Sequence, residues 1–500
     1  MNKLFNVIFI TAFVFSACSK KPVVKLPITT SSSKALEYYN KAMSYQDVGE
    51  GFESKTDLDS AIALDPNFAM AIETYPTQDP LVGRKNREKV DSLVNKLSKA
   101  EQLMIKINRS YRDKNMDIAI ETANKLVELH SDSYESYLWL GQVQSDRNEI
   151  DEAIGSIKKA IELNPESYEA YDILIGHQIP MGDRVMLPQE RRDTDLGSQY
   201  ADELIRIRPD AGQPYHWKAN IYRQLGEFEK AKPFYEKAIE KRNGKSAEGT
   251  SYNVSAHNYM FSGDFKTARE SYKKAISLTK TDWWKFQIEF YLTVSYMFEN
   301  DYIGAIENID KVEENLDRKK LGEITFHQMK GWLYFQKFIC YAHNQMEEDA
   351  FDAVKQRLKY QKISSELIGD EIALREAESN EAYLTAWANI LFGKYDKAKP
   401  HLKRLKTLKE KINDPTAMYG YYGLLGMTNL MEHNYNAAVE SFQKSDRNDI
   451  YFNYFEGLSL KANGQENEAK KAFQVLEKIN FSNWDIAIVR RLAKKQLGGS

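Results

Sequence analysis

The chain has 500 residues, 69 basic against 72 acidic side chains and a formal net charge of −3, with the two signs interspersed. That balance leaves no basic field and argues against nucleic acid as a partner. The only two cysteines are Cys18 and Cys340, which excludes a disulfide framework. The chain opens with Lys3 and an apolar run of 12 residues, Leu4 to Phe15. This is too short to cross a bilayer, which takes roughly 20 apolar residues, and it fits a secretory signal instead. Small residues, Ser16 and Ala17, stand directly before Cys18. Ser19 to Ser33, with Lys20, Lys21, two prolines and a Ser/Thr run, reads as a flexible tether. No Pro/Gly/Ser-rich linker interrupts the chain after Ser33, so one extended array is expected.

The leader, residues 1–17, resembles that of bacterial lipoproteins. In their lipobox the cysteine thiol is diacylated and becomes the new N-terminus; Phe15 stands where that family prefers Leu. The resemblance implies lipidation at Cys18, with residues 18–33 forming the acylated cysteine and tether. Two acyl chains give stable anchoring. Ser19 stands where an Asp would favour inner-membrane retention. The resemblance therefore points to a lipid anchor in a bacterial cell envelope, on the outer membrane and facing the periplasm.

Beyond the tether, apolar residues recur at helical spacing. In residues 34–130, the first unit has Ala42, Tyr45, Leu58, Ala61 and a stop at Pro66, while Tyr75 to Ser98 lacks a clean second helix. KNMDIA, ending at Ala119, then begins a phrase that returns. In residues 131–320 it reads NEIDEA (ending at Ala153), GEFEKA (Gly226 to Ala231), GDFKTA (Gly263 to Ala268) and NDYIGA (Asn300 to Ala305). In residues 321–480 it reads GKYDKA (Gly393 to Ala398), HNYNAA (His433 to Ala438) and GQENEA (ending at Ala469). Before NEIDEA lies YLWLGQVQ and after it IGSIKKAIELNP, so one unit is helix, turn, helix. Anchor alanines are 34 residues apart from Ala119 to Ala153 and 37 apart from Ala231 to Ala268. A unit repeating at this period marks a solenoid. GHQIPMGDRVMLPQERRD, residues 176–193, is expected to be a loop, and the stretch around Ala350 a lengthened helix. Residues 481–500 carry a basic helix (Arg490, Arg491, Lys494, Lys495) that would cap the last repeat or touch an acidic partner.

The units resemble tetratricopeptide repeats, whose pattern is W-x2-L-G-x2-Y, then A-x3-F, then A and P. Tyr137-x2-Leu140-Gly141 with Ala153-x3-Ile157, Ala160 and Pro165 matches it, as do Tyr422-x2-Leu425-Gly426 with Ala438-x3-Phe442. The resemblance implies an all-α superhelix, a solenoid of about ten helix-turn-helix repeats. Gly141, Ala219, Ala256, Gly426 and Gly457 are expected where paired helices approach closely. Leu97 to Gly141 also looks like repeat modules appended to bacterial signalling regulators, without any kinase signature.

In this family the first helix of each repeat lines a concave groove. By that resemblance His216, Asn220, Arg223, Asn253 and His257 form a partner-binding wall for a protein or extended peptide, with Arg223 as anion anchor. The family's chaperone-tail clamp uses Lys and Asn at such positions; Asn220 matches, and His216 takes the Lys site. The sequence carries no G-x-S-x-G, H-E-x-x-H, paired C-x-x-C or phosphate loop. The expectation is therefore a scaffold without catalysis, cofactor or metal. His327, Cys340 and His343 share one repeat, but GWLYFQKFIC reads as apolar core around a buried thiol. The alternative function is a ligand-sensing module for a glycan or small metabolite, signalling to a membrane partner; Trp283 and Trp284 leave room for it.

Overall fold

The structure, a computed structural model, describes residues 22–179, 187, 191–412 and 414–499. The leader, Cys18 and most of the 176–193 insertion lie outside them. The described residues form 26 α-helices and no strand, with one isolated bridge between Val24 and Ser133. Setting aside the short turn Arg318–Leu321 and the last helix, consecutive helices pair into twelve hairpins. None of these helices is long and apolar enough to cross a membrane. The array is an α-α superhelix.

The recurring phrase is explained residue by residue. Its first residue stands in the left-handed region at every occurrence: Gly226 (φ 75°), Gly263 (φ 89°), Gly393 (φ 69°) and Gly464 (φ 80°), but also Asn148, Asn300, Lys114 and His433. Only such a backbone reverses the chain between two antiparallel helices this tightly. The second residue is the N-cap of the next helix. Asn115, Asp264 and Asp301 accept hydrogen bonds there from the backbone N–H of Ile118, Thr267 and Gly304. The final alanine is buried against the partner helix in all cases, as at Ala119, Ala153, Ala231, Ala268, Ala305, Ala398 and Ala438. Gln345 occupies the same left-handed turn position with φ 61°. A β-carbon there costs about 1 kcal/mol, so Gln345→Gly should raise unfolding stability by about that amount, read from denaturant midpoints at unchanged slope.

The close approaches expected at the small residues are present. A β-carbon on Gly141 would lie 2.5 Å from Ile157 Cδ1, one on Gly426 2.8 Å from the Phe442 ring, and one on Gly457 2.7 Å from the Phe473 ring. The helix around Ala350 is long, Glu347–Ile368, as its sequence implied. Two segments differ from expectation. Tyr75 to Ser98 contains a full helix, Pro80–Leu93, because Asp79 caps it and Pro80 sits at the first turn, where its missing N–H is no loss. And residues 22–32, read as free tether, are pinned to the repeats. The Leu26 N–H donates to Glu135 at 2.6 Å, the Thr29 N–H to Glu101 at 2.8 Å and the Ser31 N–H to Asp65 at 2.7 Å.

The superhelix winds tightly enough to touch itself. Arg208 donates to the Ser44 hydroxyl at 3.0 Å, Arg242 to the Val48 carbonyl at 2.8 Å, and Lys245 pairs with Glu50 at 3.0 Å. Further along, Arg84 donates to the Ile368 carbonyl. The last helix, Trp484–Gln496, packs on Glu466–Glu477 and also reaches the distant helix Asp282–Phe298. Its Arg490 lies 5.3 Å over the Phe261 ring and donates to the Glu477 carbonyl at 2.9 Å.

Candidate functional site

Helix Gln213–Gln224 has Pro214 in its first turn and carries His216, Asn220 and Arg223 on one face, three and four residues apart. Helix Glu248–Phe261 presents Asn253 and His257 in the same way. All five are buried. What covers Arg223 is the chain itself. Arg223 Nε donates to the Asn480 carbonyl at 3.1 Å, and Gln224 Nε2 donates to the same oxygen at 3.0 Å. The Asn480 N–H donates back to Gln224 Oε1 at 3.3 Å, and its side-chain Nδ2 to the Arg223 carbonyl at 3.0 Å. One side-chain amide thus reads both backbone groups of one residue, while a guanidinium reinforces the carbonyl bond.

A second layer fixes these groups. The Tyr235 hydroxyl accepts from Arg223 Nη1 at 3.0 Å and donates to Asn220 Oδ1 at 2.8 Å. His257 Nδ1 lies 2.6 Å from the Tyr272 hydroxyl, and Ser482 comes beside the same tyrosine. Burial, reinforced by Arg242 and Arg223, holds His216 well below the usual imidazole range; burial with Arg223 and His216 does the same to His257. Both rings are neutral at physiological pH. Burial pushes Tyr235 up to about 12, so its hydroxyl stays a donor. Asn253 Oδ1 is buried without a hydrogen bond. The wall is therefore polar and neutral apart from Arg223, and it meets carbonyl and hydroxyl oxygens.

The N-terminal part of the interior uses the opposite chemistry for the same task. Glu101, fully buried, takes the Thr29 N–H and hydroxyl while also closing a capping box with Ser98. Asp65 takes the Ser31 N–H and the Thr30 hydroxyl. These carboxylates, together with Asn480, were missed in the sequence. Glu101 and Asp65 sit in a first turn and at a helix end, where an acid already has a capping explanation, and Asn480 lies in a loop that nothing local marks. The repeat of His327, Cys340 and His343 brings no three metal-binding side chains together among the described residues. Burial pushes the Cys340 thiol up to about 12, and His343 Nε2 lies 3.2 Å from the Tyr451 hydroxyl.

The family model described as tetratricopeptide repeat matches residues 134–167, 212–240 and 249–282. These segments are tetratricopeptide repeats. The second and third supply the helices that carry Arg223 and His257. Among solved structures, the chain is similar in fold to a tetratricopeptide repeat protein from Parabacteroides merdae, at 16% identity and a TM-score of 0.35, covering 55% of this chain and 98% of that one. It is also similar to the C-terminal part of a tetratricopeptide repeat-containing protein from Cytophaga hutchinsonii (12% identity, TM-score 0.29, 56% and 94% covered). Human IFIT1, solved as a dimer with m7Gppp-AAAA, matches at 13% identity and a TM-score of 0.33 over 89% of this chain and 95% of that one. No curated protein matches the sequence.

Proposed function

We propose that the chain is a scaffold of a bacterial cell envelope, anchored by acyl groups on Cys18 to the outer membrane and facing the periplasm, that holds an extended segment of a partner protein. Tetratricopeptide repeats suggest protein binding in general. The observation that carries the reading for this chain is the grip of the inner wall on its own backbone at Asn480. A wall that satisfies both the N–H and the carbonyl of one residue suits any extended chain, since those groups are common to all sequences. Asn480 then acts as the resident ligand, and a partner segment takes its place at Arg223 and Gln224.

The test is crosslinking in intact cells, affinity capture and mass spectrometry of the captured envelope proteins. Asn480→Ala should weaken the resident segment and raise the yield of a partner, while Arg223→Ala should lower it. Yields that move together, or not at all, would sink the reading. Anchoring is checked separately: Cys18→Ala should shift the protein from the membrane to the soluble fraction, and retention on membranes would disprove lipidation as the anchor.

A further inference from the structure

A cavity of about 520 Å³ lies away from the inner wall, between helix Pro80–Leu93 and the long helices Glu323–His343 and Glu347–Ile368. Its size falls within the range of small-molecule sites, about 300 to 1,000 Å³. Two indoles line it: Trp283, partly buried, and Trp332, 44% exposed at its edge. Arg357 stands across the Trp332 ring, its guanidinium carbon 5.7 Å from the ring centre. No hydrogen bond or ion pair reaches Arg357 from the described residues, and its Nε is buried without a partner. Burial alone lowers its pKa, to about 10.

Arg87, from the facing helix, also lines the cavity, and burial with the nearby Arg112 and Arg109 lowers its pKa too. The two acids on the walls are committed elsewhere. Asp79 accepts from the Leu81 N–H at 2.8 Å as a helix cap, and Glu376 pairs with Lys409 at 3.5 Å. Gln361 contributes a buried Oε1 with no hydrogen-bond partner, and Gln328 adds a further amide. A half-buried guanidinium whose Nε is fully buried, with no counter-ion, is costly to a fold that gains nothing from it.

We infer that this cavity binds an acidic sugar, a pyranose bearing a carboxylate. The indole faces take the apolar C–H face of the ring, the glutamine amides take its hydroxyls, and Arg357 takes the carboxylate in a two-pronged pair. Arg87 adds positive potential from the other wall. The inference is independent of what the inner wall holds.

The experiment titrates the purified chain with D-glucuronate, trigalacturonate and N-acetylneuraminate, using tryptophan emission and calorimetry. D-Glucose, galactotriose and a tetrapeptide with a free C-terminal carboxylate serve as comparisons. At least one acidic sugar should bind with a change in tryptophan emission, and its neutral counterpart at least tenfold more weakly. Arg357→Gln should weaken the acidic sugar at least tenfold, and Arg357→Lys by a smaller factor, because a lysine offers no planar fork. Arg87→Gln, which removes a charge from a separate helix, should weaken it several-fold even if the Arg357 variants fail to fold. Equal binding of acidic and neutral sugars, no binding at millimolar concentration, tighter binding of the tetrapeptide, or indifference to Arg87→Gln would each overturn the inference.

Discussion

Arg223→Ala should free the loop Ile479–Asn483 while leaving the last helix docked. Arg223 is among the largest fully buried side chains, and its bonds to the Asn480 carbonyl and the Tyr235 hydroxyl are charge-assisted. Removing a buried group with such bonds costs about 3 kcal/mol. Gln224 would still hold the Asn480 carbonyl, so the loss is not total. The last helix has separate support: Trp484 lies 5.4 Å from Tyr451 and 5.7 Å from Trp387, centre to centre, while Ile486, Ile488 and Val489 are buried. Hydrogen exchange should therefore speed by about a hundredfold at residues 479–483 and far less at Trp484–Gln496, with each 1.4 kcal/mol worth about a factor of ten. Uniform acceleration over both segments would show that Arg223 supports the whole fold. No acceleration would show that Gln224 alone holds the loop.

The parts legible in the sequence are those set by neighbours in the chain. A left-handed turn residue, an N-cap and a buried alanine lie within six positions, so GEFEKA could be read as a joint before any helix was seen. Gly426 and Phe442 are farther apart, yet the helical period fixes their meeting. Arg223 is singled out by the resemblance as an anion anchor. Its occupant is not, because Asn480 lies 257 residues away and nothing local marks a loop that returns to the interior. The same holds at the start of the described chain. Thr29, Thr30 and Ser31 have the composition of a tether, and only Glu101 and Asp65, brought near by the superhelix, make them a bound strand. The stretch Tyr75 to Ser98 failed differently: it reads as lacking a clean second helix, yet Asp79 caps one there and Pro80 stands in its first turn.

Gly426→Leu tests the joint itself and should be among the most damaging single changes in the C-terminal half. Helix Tyr419–Met431 crosses Tyr435–Gln443 at this glycine, and the Phe442 ring fills the space a side chain would need. A β-carbon alone would sit 2.8 Å from three ring atoms, and Leu adds three more carbons behind it. A ring is rigid, so relief requires the helices to separate, which costs about 3 kcal/mol or more. Phe442→Ala alone should cost about 3–5 kcal/mol by opening a cavity. If the two side chains compete for one volume, the double variant should be more stable than the sum of the single losses predicts, by about 1 kcal/mol or more. Urea unfolding of the four proteins measures this coupling directly. Additive losses would mean that Gly426 is required for its own backbone and not for the approach of Phe442.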